Sequence, residues 1–240
     1  MQLFYNKYIT SSGFCTLDAE ESRHAVRVLR LREGDELNVT DGNGNLYRCQ
    51  IVEANDKACV VEVAERESSI HNSQFSIHLA VAPTKNPSRM EWLVEKAVEI
   101  GVGEITLLQC DHSERSFLKT DRLEKLAVSA MKQSLHTLLP KINPAVNLSE
   151  WLRSPLSALY SPLKFIAHCE ADKPRVPLAT ALQPGKDTVV LIGPEGDFSD
   201  EEIALALECG FQPVSLGPSR LRTETAALYA VAAFNLINDK

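Results

Sequence analysis

From Phe75 onward, apolar runs of strand length alternate with amphipathic runs of helix length, and this alternation leaves few folds open. Residues 75–82 read FSIHLAVA, a continuous apolar stretch. In SRMEWLVEKAVEIG (88–101), Met90, Leu93, Val94, Ala97 and Val98 fall at i, i+3, i+4, i+7 and i+8, one helical face that closes at Gly101. A strand in EITLLQ (104–109) and a helix over 121–139 follow. Three more strands lie in KFIAHCE, DTVVLIG and FQPVSLG, with helices starting at Ser199 and Thr223. Strands separated by helices need crossovers, which implies an α/β fold with a mainly parallel sheet covered on both faces.

Before that region the texture differs. Between Gln2 and about Arg66, short alternating segments such as Tyr47-Cys49-Ile51 and Val61-Val63 flank the run Asp41-Gly42-Asn43-Gly44, a strong hairpin signal. Five or six short strands in some seventy residues suggest a small barrel. The polar stretch SSIHNS (68–73) breaks the pattern, giving two expected domains, 1–70 and 74–240.

Several functions are disfavoured. The six cysteines are scattered, without C-x-x-C or a histidine at ligand spacing, so no metal site is expected. The longest apolar stretch, Ala226 to Ile237, falls short of the ~20 residues that span a bilayer. The first twenty residues lack a signal-peptide core, so the cytoplasm is the expected location. A net charge of −7 argues against a coat of nucleic acid but leaves room for a local basic patch. Neither a P-loop nor a dinucleotide fingerprint is present, and adjacent Asp111-His112-Ser113 cannot meet in triad geometry.

In parallel sheets, ligands bind beyond the C-terminal strand ends, where two loops stand out. In LIGPEGDFSDEE (191–202), Ser199 and Glu202 have capping-box spacing, while Gly193-Pro194-Glu195-Gly196 exceeds a minimal strand-to-helix turn. Its glycines would let a ligand reach bare backbone. In LGPSRLRTETA (216–226), Thr223 or Thr225 can cap the last helix, but Arg220 and Arg222 oppose the helix dipole, which points to an anion or an RNA phosphate. Near the N-terminus, SRHAVRVLRLR spaces Arg23, Arg27 and Arg30 at i, i+4 and i+7, with Ala25, Val28 and Leu29 opposite. That face is either simply solvated or binds phosphate.

LIGPEGDFSDEE together with LGPSRLRTETAA resembles the RsmE family of ribosomal RNA uridine-N3 methyltransferases, within the SPOUT superfamily. Flanking stretches extend the resemblance along nearly the whole chain: HAVRVLRLREGDELNVTDGNGNLYRCQI, KNPSRMEWLVEKAVEIGVGEI and SERS. It implies a PUA-like N-terminal barrel that grips 16S rRNA in the small ribosomal subunit through Arg23, Arg27 and Arg30. It further implies a homodimeric methyltransferase domain with a C-terminal trefoil knot that binds S-adenosylmethionine. Ile192, Gly193, Glu195 and Gly196 would form one cofactor loop, and Leu216, Gly217, Leu221, Thr223 and Thr225 the other. Asp197 stands where the family usually has glycine, and Lys132 and His136 where glutamate and arginine are expected.

The implied reaction places a methyl group on N3 of a uridine. Because N3 carries a weakly acidic proton, a base or a stabiliser of the anion is expected. Arg222, charged at any working pH, is the candidate for anion stabilisation or RNA positioning, and Glu224 the weaker candidate for base. Two other readings remain at this stage: a non-catalytic RNA-binding or ribosome-assembly module of the same fold, and a related enzyme acting on another RNA.

Overall fold

The structure, a computed structural model, describes residues 2–68, 75–114, 120–154, 163–170 and 174–238. The expected boundary stretch, Ser68 apart, lies outside the described residues, as do Arg115 and Ser116 of SERS. The chain divides into two compact units, Met1–Asn72 with Val128–Leu139, and Ser73–Ala127 with Pro140–Lys240.

In the first unit, β1 (Leu3–Tyr5), β2 (Phe14–Thr16), β3 (Glu36–Thr40), β4 (Asn45–Glu53) and β5 (Val60–Ser68) form one mixed sheet in the order β1-β3-β4-β5-β2. β1 and β2 are its edges, so the expected barrel is a half-barrel. Inward-facing Tyr47, Cys49, Ile51 and Val61 are buried, as the alternation required. The Asp41–Gly44 loop does join two antiparallel strands, with Gly42 at φ 76° and Gly44 at φ 91°. It also receives a distant segment: Gly44 N–H donates to the Thr137 carbonyl at 2.9 Å, and Leu139 N–H to that of Gly42 at 2.8 Å. A side chain at Gly42 would stand 2.9 Å from the Tyr5 ring.

The arginine-bearing helix departs from expectation. α1 (Ala19–Arg23) widens to π geometry over His24–Val28, where Leu29 N–H bonds the His24 carbonyl five residues back at 2.9 Å. Arg30 sits outside the helix at φ 60°. The 3.6-residue period therefore fails: Ala25 is buried, yet Val28, expected opposite the arginines, is 65% exposed. Arg23, Arg27 and Arg30 are all exposed, but Arg27 is engaged by Asp56, Nε to Oδ2, at 2.6 Å.

The second unit carries seven strands, β6 (Ile77–Val81), β7 (Glu104–Gln109), β8 (Lys141–Asn147), β9 (Leu163–Ala167), β10 (Val176–Pro177), β11 (Thr188–Ile192) and β12 (Gln212–Ser215). Their order is β10-β12-β9-β11-β6-β7-β8, and every pairing is parallel. Helices α2 (Pro87–Ile100), α4 (Leu148–Arg153), α5 (Leu178–Ala181) and α6 (Asp200–Glu208) lie between strands, and α7 (Thr223–Asn238) follows the last one. α2 behaves as its sequence dictates. Asn86 caps it, Pro87 opens it, Gly101 ends it at φ 106°, and all five expected face residues are buried. β8 was not anticipated because it contains Pro144; the register shifts there, and an edge strand tolerates the missing N–H.

α3 (Thr120–Gln133) stops well short of 139. His136 N–H bonds the Met131 carbonyl and Leu135 N–H that of Lys132, a Schellman termination with Leu135 at φ 61° where glycine is usual. Lys132, one of the unusual residues in this helix, makes an ion pair with Oε1 of buried Glu21. Burial pushes the Glu21 carboxyl up, and the bonded ammonium of Lys132 opposes that shift.

Candidate functional site

Five loops leave the C-terminal ends of β6, β7, β9, β11 and β12. The loop after β11 is fastened to three of the others. Glu195 Oε1 accepts from Lys85 N–H, in the loop after β6, at 3.0 Å. His112, in the loop after β7, brings its Nδ1 to 3.2 Å from the Gly196 carbonyl and 3.1 Å from that of Asp197. Asp197 Oδ2 accepts from Cys169 N–H, after β9, at 2.6 Å, and Oδ1 from Phe198 N–H at 2.9 Å. Asp197 takes φ 66°, a left-handed conformation that Asp adopts more readily than most residues, so it stands in for the glycine expected there.

The glycines of this loop serve packing within the protein. A Cβ at Gly193 would meet the Phe198 ring at 3.1 Å, and one at Gly196 would meet His112 Cβ at 2.9 Å. Neither glycine has positive φ. The expected capping box is present: Ser199 Oγ accepts from Glu202 N–H at 3.2 Å, and Glu202 Oε2 from Ser199 N–H at 2.9 Å. It does more than cap α6. Ser199 Oγ also donates to Asp111 Oδ2 at 2.6 Å, and Glu202 Oε1 accepts from Asp111 N–H at 2.9 Å.

In the loop after β12, the Ala226 N–H bonds the Arg222 carbonyl at 2.8 Å, which makes Arg222 the N-cap. The expected threonine caps are thereby corrected. Thr223 lies in the first turn, and its hydroxyl donates to the Gly193 carbonyl at 3.1 Å, joining the two motifs. Thr225, the third residue of α7, is exposed. Glu224 is only 6% exposed, with Oε1 3.7 Å from Arg89 Nε and Oε2 without a hydrogen-bond partner among the described residues. A carboxylate enclosed in this way is badly placed to collect a proton from a large substrate. Arg220 and Arg222 are exposed.

A cavity of about 290 Å³ opens beyond β9 and β12, lined by Ala167, Cys169 and Arg175 on one side and Leu216, Gly217 and Leu221 on the other. Gly217 lies at φ 112° with open space where a Cβ would be, so its backbone is approachable. Of the expected cofactor residues, the cavity gathers Leu216, Gly217 and Leu221. Gly193 and Thr223 meet beside one another, Glu195 and Gly196 are turned to the loops after β6 and β7, and Ile192 remains in the sheet, its carbonyl bonded to Ala82 N–H at 3.0 Å. Arg23, Arg27 and Arg30 belong to the other unit. The contribution of the loop after β9 was not anticipated; its one sequence signal is the apolar run KFIA ending abruptly in His168-Cys169. Burial, then nearby Asp197, pushes the Cys169 thiol up.

A family model described as an RNA methyltransferase domain matches residues 71–235, and one described as an RNA methyltransferase PUA domain matches residues 17–64. Ribosomal RNA small subunit methyltransferase E of Buchnera aphidicola is 30% identical over 90% of this chain and 85% of its own. The chain belongs to the RsmE family of RNA methyltransferases. Among solved RsmE-like structures, a probable rRNA-methyltransferase of Porphyromonas gingivalis is 42% identical, with TM-score 0.90 over 99% of this chain and 98% of that one. The Neisseria gonorrhoeae ribosomal RNA small subunit methyltransferase E, solved bound to S-adenosyl methionine, is 26% identical, with TM-score 0.82 over 99% of this chain and 98% of that one. The PUA match falls within the first unit of this RsmE-family chain, and the RNA methyltransferase match covers most of the second together with Val128–Leu139 of the first.

Proposed function

We propose that this chain methylates N3 of a uridine in 16S ribosomal RNA, in the small ribosomal subunit, with S-adenosylmethionine as cofactor. The observation that carries the reading is the cavity beyond β9 and β12, walled by Leu216, Gly217 and Leu221, in a chain of this family. The site fits the group: its volume is near the lower end for small-ligand sites, its walls set apolar Leu216 and Leu221 beside polar His168, Arg175 and Ser215, as an amphipathic ligand requires, and Gly217 exposes bare backbone. S-adenosylmethionine, when bound, supplies an activated methyl group.

The chain's own residues have separate tasks in this reading. Leu216, Gly217 and Leu221 hold the cofactor; Gly193 and Thr223 fix the two loops to each other. Glu195 and Gly196 hold their loop in shape; Ile192 ends β11 just before that loop, and Thr225 precedes the cavity-lining Ala226. Arg222, exposed at the N-cap of α7, stabilises negative charge on the uridine or positions an RNA phosphate. Glu224, enclosed beside Arg89, anchors the helix start, which leaves the base unassigned. A uridine within a duplex must be flipped out to be reached.

The wider organisation belongs to the same proposal. Residues 1–70 form the PUA-like RNA-binding domain, with exposed Arg23 and Arg30 available to backbone phosphate, and 74–240 the methyltransferase domain. A C-terminal trefoil knot is part of the same proposal, and the Thr223–Gly193 bond joins the two loops that such a knot would thread. Half-exposed Trp92 on α2 and Tyr229 on α7 support a homodimer through those helices. The cytoplasm is the expected location, and no helix among the described residues is long and apolar enough to cross a membrane.

The deciding experiment incubates the protein with labelled S-adenosylmethionine and small subunits from a strain lacking the endogenous activity, then identifies the labelled nucleoside. Label in 3-methyluridine supports the reading. Label in another nucleoside overturns the uridine-N3 assignment, and none in the presence of cofactor binding assigns a different RNA target.

A further inference from the structure

The loop Gly193–Asp197 is held from the side by a residue that lies outside both sequence motifs. His112 presents Nδ1 to two backbone carbonyls, Gly196 at 3.2 Å and Asp197 at 3.1 Å. Carbonyl oxygens only accept, so Nδ1 carries the proton, whether the ring is neutral or charged. Contact is close enough to dictate the residue opposite, since a Cβ on Gly196 would stand 2.9 Å from His112 Cβ.

The segment that carries His112 is itself anchored. Asp111 N–H donates to Glu202 Oε1 at 2.9 Å, Asp111 Oδ2 accepts from Ser199 Oγ at 2.6 Å, and Cys110 N–H donates to Ser113 Oγ at 3.0 Å. The imidazole therefore transmits a fixed position, set by the start of α6, to the two carbonyls of the neighbouring loop.

We propose that His112 is a positioning residue for the cofactor, holding the Gly193–Asp197 loop in its binding shape through the Nδ1 proton. The inference rests on the proposed S-adenosylmethionine site. Loss of the donor leaves the loop held by its bonds to Lys85, Cys169 and Thr223, and loosens Asp197 behind the cavity-lining Cys169; the cofactor must then order this wall on binding, which weakens affinity.

The test uses the geometry of the donor. An asparagine amide nitrogen lies near the place of Nδ1, whereas a glutamine amide reaches toward that of Nε2. S-adenosylmethionine is titrated calorimetrically into the wild-type chain, His112→Asn, His112→Gln and His112→Ala, and amide exchange of residues 193–197 is followed without cofactor. Affinity is expected to stay within about threefold for His112→Asn and to fall about tenfold for His112→Gln and His112→Ala, with faster exchange in the latter two. If the wild-type chain binds no S-adenosylmethionine, the site reading fails and this inference with it. If the wild type binds and all three variants match it, the site stands and the positioning role is overturned. If His112→Ala melts early, the comparison of Asn with Gln decides: equal affinities overturn the proposal.

Discussion

The hydroxyl of Thr223 donates to the carbonyl of Gly193 at 3.1 Å, tying the start of the last helix to the end of a central strand. Thr223→Val keeps the shape and removes the donor, leaving a buried carbonyl with one partner fewer, at a cost of about 1–3 kcal/mol. S-adenosylmethionine affinity measured by calorimetry is expected to drop about tenfold or more, while Thr223→Ser retains it. Equal affinities in Thr223→Val and wild type would remove this bond from the binding account.

The Glu21–Lys132 pair makes a separate prediction about stability. Lys132→Met strands a buried carboxylate and is expected to cost about 3–5 kcal/mol in denaturant unfolding near neutral pH. The double change Glu21→Gln/Lys132→Met should recover most of it.

The pH dependence of the same pair has a defined sign. Burial raises the folded-state pKa of Glu21 above its ordinary value, so its contribution to stability is fully present below the unfolded pKa and declines as pH rises through the folded one. Stability curves of wild type and Glu21→Gln should therefore diverge as pH rises above about 4.5, the glutamine variant gaining, and in a Lys132→Met background the divergence should begin at the same pH but extend to higher pH and become larger. Parallel curves would contradict the assignment.

Leu135 occupies the left-handed position of the α3 termination at φ 61°, and its side chain is 41% exposed. Leu135→Gly relieves the strain of a β-carbon there and is expected to raise unfolding free energy by about 0.5–1 kcal/mol, after the greater chain entropy of glycine is set against it. A loss of stability would mean that Leu135 packs against something essential.

RNA binding should report the three arginines unequally. Arg23→Gln and Arg30→Gln are each expected to lower the salt slope of rRNA binding by about 0.7, if each grips one phosphate. Arg27→Gln should change it less, because Asp56 already neutralises that guanidinium. A flat response to all three would place the RNA elsewhere.

Elements whose signals are local were legible in the sequence. The five-residue face of α2, the capping box at Ser199 and the Asp41–Gly44 turn follow from periodicity and side-chain chemistry within a dozen residues. What was hidden depends on tertiary placement. β8 reads as a loop because Pro144 interrupts it, and only its position at a sheet edge makes the proline acceptable. The π turn at His24–Val28 defeats any face drawn with a 3.6-residue period, so Val28 was placed on the wrong side. In the site, two motifs were evident, but not what they touch. Gly193 and Gly196 are small for the sake of Phe198 and His112, and Cys169 enters from a third loop far away in sequence. Lys132 stands where glutamate is expected, and its partner, Glu21, lies more than a hundred residues earlier, beyond the reach of any local pattern.

Both outermost strands of the parallel sheet carry a proline, Pro144 in β8 and Pro177 in β10. Each removes a donor from a row of backbone groups that could otherwise recruit a further strand. The sheet is thus terminated chemically at its two margins, a safeguard against end-to-end stacking of neighbouring copies at high concentration. Pro144 terminates it at the margin far from the cavity, whereas Pro177 does so beside it, two residues after the lining residue Arg175.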